Sequence, residues 1–88
     1  MLAASHATLT VHVLLFASYA DILGVESVDV TMPAPATVGA VVAHLRALPG
    51  GNQLPPKPLC ARNLAHAGVD DAVADGDELA VLPPLAGG

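Results

Sequence analysis

Between residues 9 and 17 the chain alternates, with Leu9, Val11, Val13 and Leu15 at every second position and Thr10 and His12 between them. A period of two marks a strand with one buried face. The other face turns apolar at Leu14 and Phe16, which predicts a central strand whose far end is covered. Residues 18–23 read as a short helical turn closed by Gly24, since glycine readily takes the left-handed backbone that ends helices. Residues 26–32 alternate again, with Val28, Val30 and Met32 on one side and Ser27, Asp29 and Thr31 on the other. Two strands joined by so compact a connection are expected to pair antiparallel.

Pro33-Ala34-Pro35-Ala36 breaks the alternation, and the apolar period then lengthens. Thr37 is placed to cap a helix that carries Val38, Val41, Val42, Leu45 and Leu48 on one face. Pro49-Gly50-Gly51 stops it. Residues 49–58 hold four prolines and two glycines and are expected to form a surface loop. Residues 59–63 and 64–67 read as short strands, residues 68–77 as turns, and the apolar run 79–82 as a final strand buried on both faces. Such a strand belongs inside the sheet, parallel to the first. One helix on one face of a small mixed sheet is a two-layer α+β arrangement.

Composition narrows the function classes. The 88 residues are 53% hydrophobic and only 12% charged, which excludes a disordered chain and bounds the fold to one small domain. The domain spans residues 1–82, with 1–7 as a loose lead-in, and residues 83–88 form an extended tail. With one Phe, one Tyr and no Trp, the core must be built from small aliphatic side chains. The net charge is −5, and Arg46, Lys57 and Arg62 are the only Lys or Arg residues. Three scattered cations cannot neutralise a run of phosphates, so nucleic acid is not an expected partner.

No Lys or Arg precedes Arg46, and the first apolar run is too short to span a bilayer. The expectation is a soluble cytoplasmic domain with no membrane partner. The lone Cys60 excludes an internal disulfide and is expected to be a packed apolar residue. His6, His12, His44 and His66 fall on different elements without ligand spacing, so no metal site is expected. Asp70, Asp71, Asp75, Asp77 and Glu78 read as a solvated turn region rather than a docking surface.

The chain closes Pro83-Pro84-Leu85-Ala86-Gly87-Gly88. Two prolines hold the base of this tail extended and limit the entropy lost on insertion, while two glycines make its end thin enough for a narrow active site. An apolar patch around Phe16, Leu82 and Leu85 is a candidate docking surface.

Two stretches carry a family resemblance. Leu15-Phe16-Ala17 followed by Asp21-Ile22-Leu23-Gly24, and the run Asp75-Gly76-Asp77-Glu78-Leu79-Ala80-Val81-Leu82 with the tail after it, resemble the sulfur-carrier family that includes the molybdopterin synthase small subunit. The sequence departs from that family's pattern at Ala20, where many relatives carry Arg, and at Asn63-Leu64, where they often carry Asn-Gly. The resemblance implies a ubiquitin-like β-grasp fold, in agreement with the element order. It also implies that the Gly88 carboxylate is adenylated by an ATP-dependent enzyme of the ubiquitin-activating type and converted to a thiocarboxylate. Pro83, Pro84, Leu85, Ala86 and Gly87 would thread into the large catalytic subunit of molybdopterin synthase, in a heterotetramer, to deliver sulfur to a pyranopterin precursor. The chain would bind no cofactor itself and would be a non-catalytic, sulfur-donating subunit. Other fates of the same tail are sulfur delivery for thiazole, cysteine or tRNA thiolation, conjugation to lysines as a ubiquitin-like modifier, or no chemistry in a plain interaction module.

Overall fold

A computed structural model describes residues 7–84. Alternation in the first run produces β1 (Thr8–Leu15), whose Leu9, Val11, Val13 and Leu15 are all buried. The chain turns through Phe16 into α1 (Ala17–Leu23), which ends at Gly24 with φ 75. β2 (Ser27–Pro33) returns antiparallel to β1, with Val11 opposite Val30 and Val13 opposite Val28. The far strands follow as β4 (Leu59–Arg62), β5 (Ala65–Ala67) and β7 (Glu78–Leu82). The five-stranded sheet has the order β2-β1-β7-β4-β5, with β7 parallel to β1 and antiparallel to β4. The final strand therefore lies inside the sheet and runs with the first, as its composition requires.

Main helix α2 (Val38–Arg46) covers one face. Its first turn is capped as expected: the Ala40 N–H donates to Thr37 Oγ1 at 3.1 Å. A side-chain cap of this kind is worth about 1 kcal/mol. Val38, Val41, Val42 and Leu45 are buried and join Val11, Val13, Val30, Leu79 and Val81 in a single core. Full burial of one such aliphatic side chain stabilises the fold by about 1.5–3 kcal/mol, so this stripe and its facing strands dominate the folding energy. This is the ubiquitin-like β-grasp arrangement, a mixed sheet with a helix packed across it.

Three details differ from expectation. β7 is not buried on both faces: Leu79 and Val81 are buried, whereas Ala80 and Leu82 are half-exposed on the sheet face away from α2. A second ribbon, β3 (Ala36–Thr37) with β6 (Ala72–Val73), pairs the segment before α2 to the turn-rich region. Each strand has only two residues, too few to register as a period.

The proline-rich loop is not merely a surface excursion. It holds a 3₁₀ turn at Gly51–Gln53, and Leu54 behind it is fully buried. Arg46 Nε donates to the Leu54 carbonyl at 2.9 Å, tying this loop to the end of α2. A Cβ on Gly51 would collide with the Leu45 carbonyl oxygen, so only glycine fits where the chain turns back on the helix.

Candidate functional site: the root of the tail

The sheet face opposite α2 carries the outward residues of five strands. Register places Leu59 of β4 directly opposite Leu82 of β7, and Leu15 of β1 beside Val81. One step beyond those pairs, Phe16 reaches the same level as Leu82. The chain leaves β1 there through Ala17 at φ 50, in the left-handed region that a non-glycine residue enters at a cost of about 1–2 kcal/mol. Phe16 and Leu59 are left 44% and 48% exposed. Together with Ser18, Leu82, Pro83 and Pro84 they line an open, largely apolar recess of about 560 Å³.

Folding gains little by exposing two large apolar side chains at one end of a sheet. Contiguous exposed apolar surface of this kind marks a binding surface. The recess lies where the chain leaves β7, beside Pro83 and Pro84.

At the other end of β7 the acidic run is structural. Asp77 is 8% exposed. Its Oδ2 accepts from the Ala74 N–H at 2.7 Å and from Arg62 at 2.9 Å, and its Oδ1 accepts from Asn63 Nδ2 at 2.9 Å. The Ala74 N–H, then the Asn63 amide, then Arg62 hold its carboxyl below the ordinary range against the opposing effect of burial. Asp77 is thus a turn-closing residue and not part of a solvated cluster. Asp75 Oδ1 accepts from the Thr10 N–H at 2.7 Å, and Asp71 Oδ2 accepts from the Gly68 N–H at 2.8 Å. Both are exposed; Asp71 closes a local turn, and Asp75 ties the loop before β7 to β1.

Residues 13–88 match the ThiS family over most of the chain. The chain belongs to the ThiS family. Its members are the MoaD/ThiS sulfur carriers. Among solved structures, SAMP1 from Haloferax volcanii is 31% identical, with a TM-score of 0.77 over 90% of this chain and 99% of that one. The putative molybdopterin converting factor subunit 1 from Pyrococcus furiosus has a TM-score of 0.76 at 20% identity, covering 88% of this chain and 99% of its own. Subunit 1 in a complex with subunit 2 of the molybdopterin-converting factor from Helicobacter pylori has a TM-score of 0.66 at 21% identity, covering 91% and 100%. These last two likenesses are of fold.

Within this ThiS-family fold, Phe16, Leu82, Pro83 and Pro84 line one recess. Leu59 belongs to the same recess and was missed. The antiparallel register of β4 on β7 brings it there, opposite Leu82, and no pattern in the sequence announces that register. Leu85, Ala86, Gly87 and Gly88 lie outside the described residues. Cys60 is buried on the core face of β4, and burial pushes its thiol up to about 11, which makes it a packing residue and not a nucleophile. His12 Nδ1 and Asp29 Oδ1 stand 2.6 Å apart on the open face of β1 and β2. Among the described residues no three His, Cys, Asp or Glu side chains group as metal ligands, and no helix is long and apolar enough to cross a membrane.

Proposed function

We propose that this protein carries sulfur on the terminal carboxylate of Gly88 and delivers it as the small subunit of molybdopterin synthase. The observation that carries this reading is the apolar recess of Phe16, Leu59 and Leu82 at the root of a Pro-Pro tail ending in Gly-Gly, on a ThiS-family domain. A carboxylate resists attack because it is anionic and has no good leaving group. An ATP-dependent adenylating partner removes both obstacles: a Gly88 carboxylate oxygen attacks the α-phosphorus of ATP, pyrophosphate leaves, and an acyl adenylate forms. A persulfide donor then attacks the acyl carbon through its terminal sulfur and AMP departs, giving an acyl disulfide; a second thiol attacks the donor's inner sulfur, forms a disulfide with it and releases the thiocarboxylate.

The domain's own part is to present this tail. Pro83 and Pro84 restrict the backbone where it leaves β7, so less entropy is lost on insertion. The recess seats the partner and thereby sets the entry point. The large synthase subunit then brings the pyranopterin precursor to the thiocarboxylate. The complex of subunits 1 and 2 of the molybdopterin-converting factor supports a partner of this kind.

A second reading is favoured by one observation, the 31% identity to SAMP1, described in another structure as a small archaeal modifier protein. There the activated Gly88 acyl group passes to a lysine amine. The two fates are separated by loading the protein with sulfur and offering it, in parallel, the large subunit with a pyranopterin precursor and a lysine-bearing protein. Sulfur loss to the pterin supports the first reading; a stable isopeptide adduct in place of sulfur transfer overturns it in favour of the second.

A further inference from the structure

The ladder between β1 and β7 stops at the recess. Leu15 stands beside Val81, and continuing that parallel register would set Phe16 beside Leu82 and Ala17 beside Pro83. Neither strand runs on. Pro83 has no N–H to donate to a ladder, and β1 leaves the sheet within a single residue. Phe16 is still extended, at φ −124 and ψ 147, and Ala17 is at φ 50. Alanine gains nothing locally from this left-handed geometry, because its Cβ crowds the following carbonyl oxygen.

Both flanks hold it there. Upstream, the Leu15 N–H donates to the Glu26 carbonyl at 2.9 Å, fixing the end of β1 to the segment that enters β2. Downstream, the Tyr19 N–H donates to the Phe16 carbonyl at 3.0 Å, and Tyr19 itself is buried in the core. An extended Ala17 would instead continue β1 alongside Pro83 and pull Tyr19 from its place. The kink thus puts one aromatic residue in the core and leaves the other at the surface, where Phe16 is 44% exposed. Ala17 also lines the recess together with Phe16, Leu82 and Pro83. Backbone strain held by its surroundings clusters at binding sites, and here it adjoins the side chain that the docking surface needs.

We propose that Ala17 is a positioning residue: its left-handed backbone ends β1 at Phe16 and holds the Phe16 ring as a fixed wall of the recess. This rests on the reading of the recess as the docking surface for the large synthase subunit. An apolar anchor already held in place loses less rotamer freedom on binding, so it binds more tightly than a mobile one.

The test has two arms, both on the full chain. Phe16 and Tyr19 are the single Phe and Tyr, so ring labelling gives one signal for each, and NMR relaxation reads their order in the free protein. The Phe16 ring should be about as ordered as the buried Tyr19 ring; a Phe16 ring moving like a free surface side chain overturns the proposal. The second arm is a double-mutant cycle, with affinity for the large subunit and melting temperature measured together. Ala17→Gly, which accepts the same angle, should bind within about threefold of wild type. Ala17→Val, whose branched Cβ resists positive φ, should bind about tenfold more weakly. In a Phe16→Ala background Ala17→Val should cost no further affinity. Equal losses from Ala17→Val in both backgrounds, wild-type affinity in Ala17→Val, or a tenfold loss in Ala17→Gly overturns the proposal and leaves the docking surface standing. Wild-type affinity in Phe16→Ala alone overturns both.

Discussion

Asn63 and Asp77 are joined at 2.9 Å across the ends of β4 and β7, while the same Asn63 side chain accepts from the backbone N–H of Glu78. One asparagine thus ties the β4–β5 hairpin to the turn that starts the final strand. Asp77→Ala removes the acceptor for the Ala74 N–H, Arg62 and Asn63 together. The expected cost is about 2–3 kcal/mol, read as a lower midpoint in urea unfolding with an unchanged slope.

The same carboxylate gives a pH dependence. Its folded value lies below the ordinary 3.8, chiefly through the Ala74 N–H and Asn63. A depressed carboxylate contributes stability that is complete above the unfolded value and is lost as pH falls through the folded one. Stability measured by denaturant titration should therefore fall on acidification below about 4. In Asp77→Asn this part of the acid dependence should be absent.

Leu64→Gly removes backbone strain without removing a packed side chain. The expected gain is about 1 kcal/mol, which for a domain of this size raises the melting temperature by roughly 4–8 °C. Leu64→Val should do the reverse, because a β-branched residue tolerates positive φ less well.

Cys60 should be silent toward a thiol-alkylating reagent at neutral pH in the folded protein and react fully in denaturant, since its thiol is buried and pushed up to about 11. Cys60→Ala should lower stability by about 1 kcal/mol and leave sulfur loading of Gly88 unchanged. Loss of loading in that variant would make Cys60 a sulfur relay.

Phe16→Ala trims a side chain that is 44% exposed and lines the recess. Its melting temperature should change little, while affinity for the large synthase subunit, measured by titration calorimetry, falls tenfold or more.

The parts of this fold that were readable in the sequence are those whose signal repeats. Alternation located β1 and β2, the apolar stripe of Val38, Val41, Val42 and Leu45 located α2, and Thr37 marked its cap. The unbroken apolar run at the end placed β7 inside the sheet, although the half-exposure of Ala80 and Leu82 depends on which sheet face α2 covers. The two-residue strands β3 and β6 are too short to show a period, and Leu54 is buried by a loop whose composition alone reads as surface. Asp77 was misread because its neighbours Asp75 and Glu78 give the run a solvated character, whereas its own partners come from residues 62, 63 and 74. Phe16 and Leu82 were legible as a patch; Leu59 joined them only once the register of β4 on β7 was known.

The central claim concerns the carboxylate of Gly88, and intact mass tests it most directly. Wild type and Gly88→Ala are each incubated with the adenylating enzyme, ATP and a sulfur donor. Wild type should show a single oxygen-to-sulfur exchange located at Gly88, and the variant should show none while melting as wild type does. An unchanged mass for wild type, or normal exchange in Gly88→Ala, would contradict the sulfur-carrier function.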